Sequence, residues 1–165
     1  EMTPSSEGFS LNSENKNDIT IALTQRSVWP DELGSKDFFN YMELLKRHLR
    51  KGMFSSGKEV SEAWIDETKK INSDLGLYEI DVESDEGVAK KVYWQEIKGK
   101  GVSLVIECLY FKSGSTSCTS STHEPNYGFN TSYMDISFHS ELLPHWQQLN
   151  QDAVQLIESF KVAEK

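Results

Sequence analysis

Four histidines, at 48, 123, 139 and 145, and two cysteines, at 108 and 118, are the residues of this 165-residue chain best suited to chemistry. Zinc takes three or four such ligands converging from short, rigid spacings. His139 and His145 stand six apart, with neither an H-E-x-x-H pattern nor a C-x-x-C pair beside them, so no metal site is assigned and no cofactor is expected. Cys118 precedes His123 closely, a pairing that would make a thiolate nucleophile and its base in a fixed, electropositive setting. Both fall in a Ser/Thr-rich stretch that reads as a long loop, so no catalytic residue is assigned. The chain also lacks a G-x-S-x-G elbow and a phosphate-cradling glycine loop. Asp66-Glu67 reads as a solvated helix face rather than an acid/base pair.

Charge is more informative. Glu79, Asp81 and Glu83 alternate with Tyr78, Ile80 and Val82, so a strand here has one carboxylate face and one apolar face, and Asp85 and Glu86 extend the acidic side. Such a field steers and selects a basic partner. The plainer alternative is a strand whose charges protect a sheet edge from aggregation. With Trp29, His123 and Tyr127 as aromatic anchors, these residues form the expected partner-binding set.

The acidity is local. The chain holds 26 acidic and 17 basic side chains, a formal charge of -9, and residues 57–86 alone carry ten acidic against three basic groups. Residues 35–56 and 87–112 are each net +3. Nucleic acid is a poor match, because phosphate binding relies on clustered Lys and Arg to release counterions. A content of 37% hydrophobic and 11% aromatic residues suits a folded chain, and no apolar run approaches the ~20 residues that span a bilayer.

The nine residues between Cys108 and Cys118 allow one disulfide, which would stabilise by roughly 2–3 kcal/mol in the chain-entropy model. A buried thiol at Cys108 with an exposed one at Cys118 is the alternative. Residues 1–7 show neither a basic n-region nor an apolar h-region, so no signal peptide is read there; whether a signal or lipid anchor precedes Glu1 stays open.

The elements that position these residues follow from periodicity. Residues 1–17 read as a flexible tail and lead-in, and 18–165 as a single domain. Ile19, Ile21 and Leu23 alternate onto one face of a first strand, Asp18 to Thr24. From Lys36 to Lys51, Phe38, Met42, Leu45 and Leu49 share one helix face, with Ser35 as the expected cap and Gly52 as the stop. A second helix is expected over Lys58 to Leu75, burying Val60, Trp64, Ile71 and Leu75 and ending at Gly76. Strands follow at Tyr78–Val82 and Val88–Ile97, and a Lys98-Gly99-Lys100-Gly101 turn folds the latter against Val102–Phe111. Residues 113–129, with eight Ser or Thr among the first ten, read as a loop; Ser132 to His139 is a last strand. A terminal helix, Leu143 to Val162, buries Trp146, Leu149, Ala153, Leu156 or Ile157, and Phe160. Grouped strands with helices before and after give an α+β fold: an antiparallel sheet flanked by helices.

This order, with Gly8-Phe9-Ser10-Leu11, Asp18-Ile19-Thr20-Ile21 and the terminal run Asp152 to Phe160, resembles the Mog/PsbP/DcrB-type sandwich over nearly the whole chain. The resemblance implies a small bacterial envelope protein, among whose kin are immunity proteins that neutralise type VI secretion effectors. It implies a non-enzymatic periplasmic protein that binds a cognate effector, lipid-anchored or not in its precursor, with the cytoplasm as the alternative. The second reading is an envelope lipoprotein or adaptor that holds an apolar ligand or client segment between sheet and helices.

Overall fold

In the computed structural model, the structure describes residues 17–25, 40–52, 55, 57–83, 87–123 and 132–160. Among them seven strands form one antiparallel sheet: β1 (Thr20–Gln25), β2 (Lys70–Asn72), β3 (Leu77–Val82), β4 (Val88–Ile97), β5 (Gly101–Phe111), β6 (Thr116–His123) and β7 (Ser132–Phe138). Their order is β1-β7-β6-β5-β4-β3-β2. Three helices complete the α+β fold: α1 (Tyr41–Leu49), α2 (Glu62–Thr68) and α3 (Trp146–Ser159). No helix among the described residues is long and apolar enough to cross a membrane.

Strand alternation splits the core in two. One face carries Ile80, Val82, Val92, Trp94, Val102 and Val105, packed against Leu45 and Leu49 of α1 and Ile65 of α2. The other carries Tyr93, Ile106, Cys108, Cys118, Met134, Ile136 and Phe138, packed against Trp146, Ala153 and Ile157 of α3. Trp146 also donates its indole N–H to the Leu75 carbonyl at 3.0 Å, tying α3 to the β2–β3 turn.

The hairpin between β4 and β5 forms at the expected turn. Gly99 and Gly101 have φ of 81° and 78°, a region that glycine enters without a Cβ clash. The Asn40 side chain caps α1 by accepting from the Met42 and Glu43 amides at 2.9 and 3.3 Å. Ser35 and Phe38, like the tail 1–16, lie outside the described residues.

Four expectations change. Instead of one long helix over 58–75, α2 begins at its Ser61 cap and ends at Thr68; β2 and a turn follow, in which the Asn72 carbonyl accepts from the Gly76 amide and its side chain from Leu75. Gly76, at φ 67°, therefore closes a hairpin rather than a helix. Trp64 and Ile71 are exposed, and Ile65 takes the buried position. The Ser/Thr-rich stretch is not all loop: β6 lies between β5 and β7 and buries Cys118, Ser120 and Ser121. Thr116 donates to Ser140, Ser120 to Asn150 and Ser121 to Asp135, while the Thr122 hydroxyl is buried without a hydrogen-bond partner among the described residues. Of the three alternating residues at β1, Ile21 packs into the core, while Ile19 and Leu23 stay exposed. In α3 it is Ile157 rather than Leu156 that is buried; Phe160, just past its end, is 72% exposed, and Pro144 sits in the 3-10 turn Ser140–His145 ahead of the helix.

Candidate functional site

The carboxylates of β3 face the same side of the sheet as the α3 core but sit at its far end. Register places Glu79 opposite Tyr93 and Asp81 opposite Lys91. The row through Asp81 and Lys91 continues through Cys108, Cys118 and Phe138, so one line across the sheet passes from exposed charge to buried apolar contact. Cys108 and Cys118 stand directly opposite each other and are joined in a disulfide. Packing by α3 covers the apolar end of such rows and leaves Asp81, 70% exposed, on an acidic rim.

Each rim residue has a partner. Lys91 Nζ lies 3.2 Å from the Asp81 carboxylate. Burial alone would lower the Lys91 ammonium, but the Asp81 hydrogen bond, with the charges of Asp81 and Glu79, holds it above the usual lysine value. Glu79 accepts from the Asn72 side-chain amide at 2.9 Å. Glu83 pairs with Lys51, whose hydrogen bond and charge hold its carboxyl below the usual range. The Tyr93 ring is buried, and burial first, then a hydrogen bond with Tyr110, pushes its phenol well above the usual tyrosine value.

The expected binding set is thus only partly assembled. Glu79 and Asp81 lie on β3 and Glu83 one residue past its end; β2 pairs with Leu77–Glu79, so Glu79 is flanked, whereas among the described residues no strand flanks the Asp81 end. His123 ends β6, paired with Tyr133, and β5 and β4 separate its strand from β3. Trp29, Asp85, Glu86 and Tyr127 lie outside the described residues. Lys91, Tyr93 and Lys51 were missed in the sequence. The signal for the first two was present, because the β4–β5 hairpin and the short β3–β4 connection fix which residues of β4 face the carboxylates. Among the described residues no cluster of His, Cys, Asp or Glu could hold a metal ion.

No family model matches the chain, and no curated protein matches it in sequence. Among solved structures, an immunity protein of the Stenotrophomonas maltophilia type IV secretion system superimposes with a TM-score of 0.56 at 12% identity. The match covers 90% of this chain and 71% of that one. The two share a fold. Of the resemblance read in the sequence, this match supports a fold like that of a secretion-system immunity protein, whereas the Mog/PsbP/DcrB family and a type VI system draw no support from it.

Proposed function

We propose that this chain is an immunity protein: a non-enzymatic binder that neutralises a secreted bacterial effector by occupying it. The observation that carries the reading is the fold shared with a secretion-system immunity protein over 90% of the chain. At such low identity a fold does not by itself transmit a function, so the reading also leans on the acidic rim, whose exposed carboxylates suit a basic partner surface. The Cys108–Cys118 disulfide fits an oxidising compartment, which favours the periplasm as the place of action. The effector belongs either to a type VI system, as the sequence resemblance implies, or to a type IV system like that of the structural neighbour.

Co-expression tests the proposal. The chain is produced in the periplasm of a host carrying the toxin encoded beside its gene, and survival is scored. The expected result is protection from that toxin alone, with a purified complex of nanomolar affinity. Undiminished killing, or no complex between the purified proteins, overturns the reading.

A further inference from the structure

Among the described residues Lys90 is the charged side chain in the buried interior, with its residue 2% exposed. A buried ammonium is costly unless it is paired and hydrogen-bonded. Its Nζ donates to the Arg50 carbonyl at 2.8 Å and the Gly52 carbonyl at 3.0 Å. It also lies 3.8 Å from Glu107 Oε2, which meets His48 Nδ1 of α1 at 2.6 Å. The two carbonyls belong to the end of α1 and the corner after it, where a helix leaves acceptors without intrahelical donors and carries partial negative charge.

That corner in turn holds the rim. The Gly52 amide donates to the Glu83 carbonyl at 3.3 Å, and the Lys51 side chain pairs with the Glu83 carboxylate. On its other side the corner is closed by Gly57, whose amide donates to the Lys51 carbonyl and whose added Cβ would come within 2.7 Å of the Lys51 nitrogen. Lys90 stands opposite Val82 in register, one residue before Glu83. A single ammonium therefore clamps the corner beside the residue that the corner presents.

We infer that Lys90 is the positioning residue of the acidic rim: it fastens residues 50–52 to the sheet and, through Gly52 and Lys51, sets where Glu83 holds its carboxylate. Its consequence for partner binding rests on the effector-binding reading above, but the positioning itself is read on the free protein. Lys90→Met alone leaves Glu107 with its His48 contact but without the nearby ammonium, so Lys90→Met/Glu107→Gln, which removes both charges, is the decisive variant. Amide exchange and a carbon-detected titration of Glu83 are followed in the full chain. In the double variant the Gly52 amide should exchange roughly tenfold faster or more, while Val92 and Val105 keep their protection. The Glu83 carboxyl should also rise toward its ordinary value, as it should in Lys51→Met. Unchanged Gly52 exchange, or a loss shared equally by Val92 and Val105, would overturn the assignment. Failure to find an effector would count against the proposed function and leave this result standing.

Discussion

Tyr93 places a phenol where water scarcely reaches, beside Tyr110 and within the field of Glu79 and Asp81. Because its folded pKa is raised, the stability it contributes is fully present below the unfolded tyrosine value of about 10 and is lost as pH climbs from there toward the folded value. Stability should therefore fall above about pH 10 with a slope approaching 1.4 kcal/mol per pH unit from this residue. Urea unfolding between pH 9 and 11 measures it, and Tyr93→Phe should flatten the decline. An identical slope in the variant would mean that other groups drive the alkaline loss. The sequence showed the alternation of β4 only as Val92 and Trp94 on one face, leaving Lys91 and Tyr93 on the other face unread. Their role depends on cross-strand register, which no single segment contains.

At the scale of elements, β6 best separates what a sequence displays from what it hides. Its run Thr116–His123 has no large apolar residue to mark a buried face, so a Ser/Thr-rich loop was the natural reading. Tertiary structure turns it into an interior strand by giving the buried Ser120 and Ser121 hydroxyls partners and by joining Cys118 to Cys108. The same logic explains β2, only three residues long, which forms because β3 offers it an edge. By contrast β4, β5 and β7 were legible because long apolar alternation and a glycine turn mark them locally. Six cross-strand pairs hold β5 to β6 apart from the disulfide's covalent tie, so Cys108→Ala/Cys118→Ala should keep the fold. It should lower stability by about 2–4 kcal/mol, combining the lost constraint on the unfolded chain with two small core voids. The urea slope m should also rise, since an uncrosslinked unfolded chain exposes more surface. A stability change below about 0.5 kcal/mol would show that the cross-link is thermodynamically idle.

For the whole molecule, the sum of -9 conceals how folding distributes it. The acidic stretch 57–86 folds against the basic segments on either side of it: Glu59 pairs with Arg50, Glu62 with Lys46, Glu83 with Lys51 and Asp81 with Lys91. Asp66 pairs within the stretch, with Lys69, whose ammonium is held above its usual value chiefly by that hydrogen bond. Pairs of opposite sign a few ångströms apart project far less field than ten separate carboxylates, and salt screens the remainder within about 8 Å at physiological ionic strength. Long-range steering by this stretch is consequently weaker than its sequence charge suggests, so the interface proposed for the rim would work mainly by contact. Two variants of equal charge change separate these roles once the protecting complex is in hand: Asp81→Lys/Glu83→Lys on the rim, and Glu67→Lys/Asp74→Lys on other exposed positions of the same stretch. If the rim is the interface, its reversal should slow association several-fold at low salt and also speed dissociation, because like charges then meet at the contact. The second pair should change association slightly and dissociation not at all. Equal effects from both variants would assign the acidity to bulk charge and move the binding surface elsewhere on the molecule.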